Sequence, residues 1–147
     1  MRRLFHNVRY CMTVRLFLLF LMAGVAAAQS PLGSSVFDWE KLTVKKTAKG
    51  ERRDIVNART ATFQNFESHV TTLRAGEVAH EAHRHADEEI IVVKEGTLEV
   101  TFQGRTQRAP AGSMLFFAAN DLHGMKNVGG TTASYYVIRI ITEAVDK

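Results

Sequence analysis

The 147-residue sequence predicts an all-β single domain closed into a barrel. Three observations carry that prediction. Short β-branched or aromatic runs recur every ~8–12 residues, separated by Gly- or Asn-containing turns. No stretch beyond the first 28 residues sustains a helical period. The length accommodates one hydrophobic core rather than two. So many strands in so short a chain leave sheet edges to be managed, and closure into a barrel manages them best. A composition of 46% hydrophobic and 23% charged residues is that of an ordinary globular protein.

The first 28 residues read differently. Arg2, Arg3, Arg9 and Arg15 make a basic start, an apolar run follows from Leu16 to Val25, and Ala26-Ala27-Ala28 closes the segment before Gln29. This is the pattern of a secretory signal peptide cleaved after Ala28, with Met12 as an alternative start. The run is short of the roughly 20 apolar residues that a bilayer core requires. No stable membrane insertion is therefore expected once the segment is removed, and the mature protein is expected in a periplasm or secreted. The whole chain carries a net charge of +4 from 19 basic and 15 acidic residues, but four of the basic residues lie in this segment. The remainder is balanced at 15 against 15, which gives no electrostatic basis for binding nucleic acid. The only cysteine, Cys11, is also in the segment. The mature domain thus has neither disulfides nor thiolate ligands.

Residues 29–52 read as a linker and arm, and residues 53–147 as the barrel. Pro31, Gly33, Ser34 and Ser35 mark the linker. Val36, Phe37 and Trp39 are the first side chains suited to dock, either on their own barrel or across a homodimer interface. Lys45, Lys46, Lys49 and Gly50 read as a solvated turn. Strands are expected near Ala61–Phe66, Glu67–Leu73, His83–His85, Glu89–Lys94, Thr97–Phe102, Thr106–Arg108, Met114–Phe117, Gly124–Asn127 and Ser134–Ile141. Glu95-Gly96 and Gln103-Gly104 supply tight turns, because Gly accepts positive φ without steric cost. The tail S-Y-Y-V-I-R-I-I-T has strong β character.

Two segments carry chemistry. In G-E-V-A-H-E-A-H-R-H-A-D-E-E-I-I-V-V-K-E-G, His83 and His85 are two apart and Glu89 follows four later. In an extended chain all three share one face. Two neutral imidazoles and a carboxylate suit a borderline or hard divalent ion. In the second segment, His123 follows the apolar run Met114–Phe117 and the polar pair Asn120-Asp121, so a third imidazole can complete the set from a neighbouring strand. By the same parity Ile91 and Val93 share the face of Glu89, and Met125 that of His123, as an apolar pocket lining. His80 reads as a solvated loop histidine and His69 as structural or exposed. Arg84, Asp87 and Glu88 read as an exposed face, with Glu88 as an alternative to Glu89 if the strand carries a bulge.

Both segments resemble the paired motifs of the cupin superfamily. Gly76, His83, His85, Glu89 and Gly96 follow the first motif, with one residue more than usual between Gly76 and His83. Gly112, His123 and Asn127 follow the second, with Ala118 and Asn120 in place of its Pro and Gly. Asn127 reads as a turn residue rather than a ligand. Asn tolerates the left-handed backbone that Gly supplies, so the turn at position 120 is expected to survive. The resemblance implies a jelly-roll barrel holding one divalent ion through His83, His85, Glu89 and His123. With no thiolate to hand, Mn, Fe, Ni and Zn all remain candidates. Four protein ligands leave about two positions open on a six-coordinate ion. The expected function is a metal-dependent enzyme acting on a small oxygen-rich molecule, resembling a dioxygenase, isomerase or decarboxylase. Glu89 is its candidate proton acceptor. The alternative is a non-catalytic module that binds or senses a small ligand or the ion itself.

Overall fold

The computed structural model of the chain describes residues 30–142. The expected signal segment, residues 1–28 with Cys11 and Met12, lies outside the described residues. Among the described residues nine strands follow a short 3-10 helix at Trp39–Lys41: β1 (Val44–Thr47), β2 (Gly50–Ala58), β3 (Asn65–Leu73), β4 (Glu88–Glu95), β5 (Thr97–Phe102), β6 (Arg105–Pro110), β7 (Met114–Phe117), β8 (His123–Asn127) and β9 (Ala133–Ile141). They form a six-stranded sheet, β1-β2-β3-β9-β4-β7, and a three-stranded sheet, β6-β5-β8. All pairings are antiparallel. The two sheets face each other as a jelly-roll barrel.

Alternation along each strand builds the core. In β4, Glu89, Ile91 and Val93 are buried while their neighbours are not. Leu98 and Val100 of β5, Met125 of β8, and Ala133, Tyr135 and Val137 of β9 join Ile91 and Val93 in one cluster with Leu73, Ala109 and Phe117. A fully buried Ile or Leu such as Ile91 or Leu98 contributes about 1.5–3 kcal/mol through its removal from water.

Two turns depend on backbone geometry. Gly96 carries the chain from the large sheet to the small one at φ 80°, and a Cβ there would stand 2.7 Å from Ala133 Cα and Thr132 O. Its turn therefore joins two sheets rather than closing a hairpin. Gln103 (φ 48°) and Gly104 (φ 71°) form the two-residue hairpin turn between β5 and β6.

Several expectations are corrected. The turn expected over Lys45–Gly50 is confined to Ala48 and Lys49, between the paired strands β1 and β2. Strand β2 spans the expected arm–barrel boundary at residue 52, and β1 lies before it. They lack an apolar face and are tied by charge instead, through the ion pairs Lys46–Glu51 and Lys45–Asp54. Residues 61–64 form a loop rather than the start of a strand. The Thr60 hydroxyl accepts from Phe63 N at 2.9 Å there, a local bond that competes with extended pairing. His83–His85 is not a strand either. Residues 76–83 run irregularly along β8, and His83 bridges His123 through both backbone bonds, at 3.0 and 3.1 Å. In the arm, Trp39 lies between Arg53 (4.5 Å) and Lys94 (4.0 Å) of its own barrel. Val36 and Phe37 are exposed.

Candidate functional site

Register determines what faces the barrel interior, because direct cross-strand partners share a face. One row runs Glu67, Arg139, Glu89, Phe117 across β3, β9, β4 and β7. The next runs Asp54, His69, Val137, Ile91, and the one beyond it Arg52, Thr71, Tyr135, Val93. Polar groups concentrate at one end of the interior. They line a cavity of about 580 Å³ whose mouth includes the exposed Thr47 and Ala48.

His83 and His85 line this cavity, and the buried His123, from a distant segment, closes on both. One nitrogen from each of His83, His85 and His123 lies within 4.8 Å of the other two. His83 and His85 come from the segment beside β8, and His123 opens β8 itself. The left-handed Asn120 (φ 64°) closes the turn before it, as expected of an Asn in place of Gly. Two of the rings are oriented by main-chain carbonyls. His85 Nδ1 donates to Asp87 O at 2.8 Å and His123 Nδ1 to Asp121 O at 2.9 Å. Those bonds leave His85 Nε2 and His123 Nε2, together with His83 Nδ1, buried and without hydrogen-bond partners. Three imidazoles converging on one point, each with a buried ring nitrogen left unpartnered, fit the needs of a divalent ion, since uncompensated burial of such groups is costly. Burial, then the neighbouring imidazoles of His80, His123 and His85, hold His83 below its usual pKa. Phe117 stacks on the His123 ring at 4.1 Å.

Glu89 is 6% exposed and inward-facing. Its Oε2 is 3.3 Å from His85 Nε2, but the group of three closes without it. Glu88 faces outward and is exposed. Of the expected pocket residues, Met125 lines the cavity, whereas Ile91 and Val93 are packed in the core and do not. They lie two and four residues beyond Glu89 on β4, where the interior is already apolar.

The sequence reading missed a charged network behind the histidines. Asp87, expected on an exposed face, has a side chain only 9% exposed. Arg139 holds it through both carboxylate oxygens, at 2.5 and 2.7 Å, and also reaches Glu67 at 3.1 Å. The Arg139 guanidinium lowers the Asp87 pKa, and Asp87 in turn raises that of Arg139. Glu67 also accepts from Arg52 at 3.0 Å. His69 is buried, not exposed, and lines the cavity. His80 lines it too, edge-on to His83 with ring centroids 4.1 Å apart. A single Arg inside the apolar tail V-I-R-I-I, and the shared parity of Glu67, His69 and Leu73, were the available signals.

Residues 69–139 match the family model described as a cupin domain. Among solved structures, the chain is similar to an RmlC-like cupin from Shewanella frigidimarina, with 17% identity and a TM-score of 0.61 over 76% of this chain and 95% of that one. KdgF from Halomonas sp. shares 16% identity at a TM-score of 0.62, over 76% and 97% of the two chains. A predicted oxalate decarboxylase from Thermotoga maritima shares 19% identity at 0.59, over 73% and 99%. At these identities the likeness is one of fold. No curated protein matches the sequence.

Proposed function

The chain is a member of the cupin superfamily, and on that premise we propose that it is an exported, metal-dependent enzyme acting on a small oxygen-rich molecule. The carrying observation is the convergence of three imidazoles, each with a buried, unpartnered ring nitrogen, beside a solvent-open cavity that His83 and His85 line. His83, His85 and His123 would hold the ion, with Glu89 as the carboxylate of the set. A divalent ion there supplies Lewis acidity to an oxygen pair such as that of an enolate, catechol or dicarbonyl.

The remaining work falls to the chain's own groups. Glu89, beside His85 and in register with Arg139, would take a proton from a bound molecule on swinging off the ion. Asp87 and Arg139 steady the His85 segment against the sheet. A sealed apolar barrel would have favoured a purely binding role. The cavity instead carries Lys49, Arg52, Glu67, His69 and Tyr135, groups that can orient a substrate.

Dioxygenase-, isomerase- and decarboxylase-like chemistry all fit this description, and the ion is Mn, Fe, Ni or Zn. The test is elemental analysis of protein purified from its native compartment beside His83→Ala. Near-equimolar metal is expected in the first and a strong loss in the second. Equal metal in both defeats the assignment. Oxygen uptake with small diphenols and diketones then separates an oxygenase from the other two chemistries.

A further inference from the structure

Lys45, Lys46 and Lys49 stand together in the sequence as one solvated turn, and the fold gives them separate roles. Lys45 and Lys46 lie on β1 and pair with Asp54 and Glu51. Lys49 lies in the two-residue turn that joins β1 to β2, is half-buried, and lines the cavity. Its backbone is held from several sides. Arg74 donates to Ala48 O through its guanidinium and to Lys49 O through its main-chain N–H, the latter at 3.0 Å. Lys49 N donates to Thr47 Oγ1 at 3.3 Å. Gly50 packs so closely on β3 that a side chain there would run into Thr72 O. From this braced turn Lys49 Nζ reaches Ala79 O, 3.5 Å away, on the segment that carries His83 four residues later.

The other charged groups of the cavity wall are already engaged. Arg52 is held by Asp54 and Glu67, Arg139 by Asp87 and Glu67, and Glu51 by Lys46, while Glu89 stands against His85. Of the lysines and arginines that line the cavity, Lys49 alone forms no ion pair with the described residues. Its bond to Ala79 O is longer than the usual range of about 2.7–3.2 Å, and an ammonium has three donors. At least two N–H groups are thus left for a ligand. One unpaired positive charge matches one negative charge. A carboxylate supplies it, with acceptor oxygens for a charge-assisted bond. A phosphate dianion would leave a charge uncompensated on a wall that also carries Glu51, Glu67 and Glu89.

We propose that Lys49 is the anion-binding residue of this cavity, and that the molecule bound beside the histidines carries a carboxylate on the end that faces the β1–β2 turn. This deepens the reading of the cavity as a metal-dependent substrate site and rests on it, but not on which ion the histidines hold. Lys49 is a specificity-determining residue in this scheme, and Arg74 positions it by bracing the turn.

Calorimetric titration of 3,4-dihydroxybenzoate and of its neutral amide, 3,4-dihydroxybenzamide, into the metal-loaded protein tests the proposal. The two offer an ion the same oxygen pair and differ in one charge. The acid is expected to bind about tenfold tighter than the amide, the scale of one hydrogen bond between charged groups. Lys49→Met should make the two equal, and Lys49→Arg, which keeps the charge, should keep the preference. Lys126→Met removes the same charge from the exposed outer face of β8 and should leave the preference unaltered. Equal affinities in the wild type overturn the proposal. So does a preference that survives Lys49→Met, or one that Lys126→Met also removes. Failure of the acid to bind protein with full metal content overturns it as well, and the metal assignment then stands. Protein that takes up no metal defeats that assignment instead, and the same titrations on the metal-free protein decide the role of Lys49 by the same criteria.

Discussion

The two ends of the barrel interior are built from the same strands, and they differ in almost every other respect. Along β4 the inward side chains run Glu89, Ile91, Val93; along β9, Arg139, Val137, Tyr135; along β3, Glu67, His69, Thr71, Leu73. One end is charged, open and left with unsatisfied imidazole nitrogens. The other is an apolar cluster centred on Ile91, Val93, Leu98 and Val100, whose Leu73, Met125, Tyr135 and Val137 also line the cavity. On β4 and β9 the change happens within two residues, which one repeat of the pleat permits and a helix surface would not. The apolar end can hold the barrel together while the polar end tolerates buried groups that destabilise it locally, a division of labour common where a site is set into a stable scaffold.

If the ends are separable in this way, perturbing each should leave the other's property intact. The largest effect is expected from Ile91→Ala, which removes a fully buried side chain at the apolar end. It should cost about 2–5 kcal/mol in denaturant unfolding with no change in metal bound per folded molecule. A parallel loss of metal would show that the ends are one unit.

Next comes His69, whose folded pKa of about 4 lies below its ordinary 6.5. The folded state favours the neutral ring, so the contribution is complete above pH 6.5 and lost as pH falls toward 4. Linkage puts that loss at about 3 kcal/mol. Urea midpoints of metal-free protein between pH 7.5 and 4 should show it, and His69→Gln should remove that part of the slope. Asp54, held down to about 2 by Lys45 and Arg52, loses its contribution only below pH 3.8 and does not overlap.

Arg139→Met should weaken metal binding about 10–100-fold, the usual effect of removing a group that orients a ligand from behind. Arg139→Lys should recover little, since a lysine cannot reproduce the two-oxygen grip on Asp87. The smallest effect is expected on the outer surface. Trp39→Ala removes contacts with Arg53 and Lys94 and should cost about 0.5–1 kcal/mol for each, with metal content unaltered.

Legibility followed the same division. Strands whose apolar residues alternate, such as Glu88–Glu95 and Ala133–Ile141, announce themselves because burial of one face imposes a period of two. Strands β1 and β2 were hidden because V-K-K-T and G-E-R-R-D-I-V-N-A are paired by charge, and a run of charges reads equally well as a solvated loop. Asn127 does more than the turn role its sequence context suggests. It is fully buried, its amide donating to Leu73 O at 3.1 Å and Thr131 O at 2.8 Å while its oxygen accepts from Gly129 N at 2.9 Å. One side chain thus ties the ends of β3 and β8 to the loop before β9.

From the sequence came the barrel, the three histidines, the shared parity of Glu89 and, through the resemblance to the cupin motifs, an Asn able to stand in for Gly at position 120. Local spacing and residue type encode these, because backbone geometry converts them directly into facing and turn shape. The convergence of His83 with His123 depended on an irregular segment pairing with β8. The network of Asp87, Arg139, Glu67, Arg52 and His69 depended on the register between β2, β3 and β9. Both arise from contacts between residues far apart in the chain, where no local period says which side chain will stand opposite which.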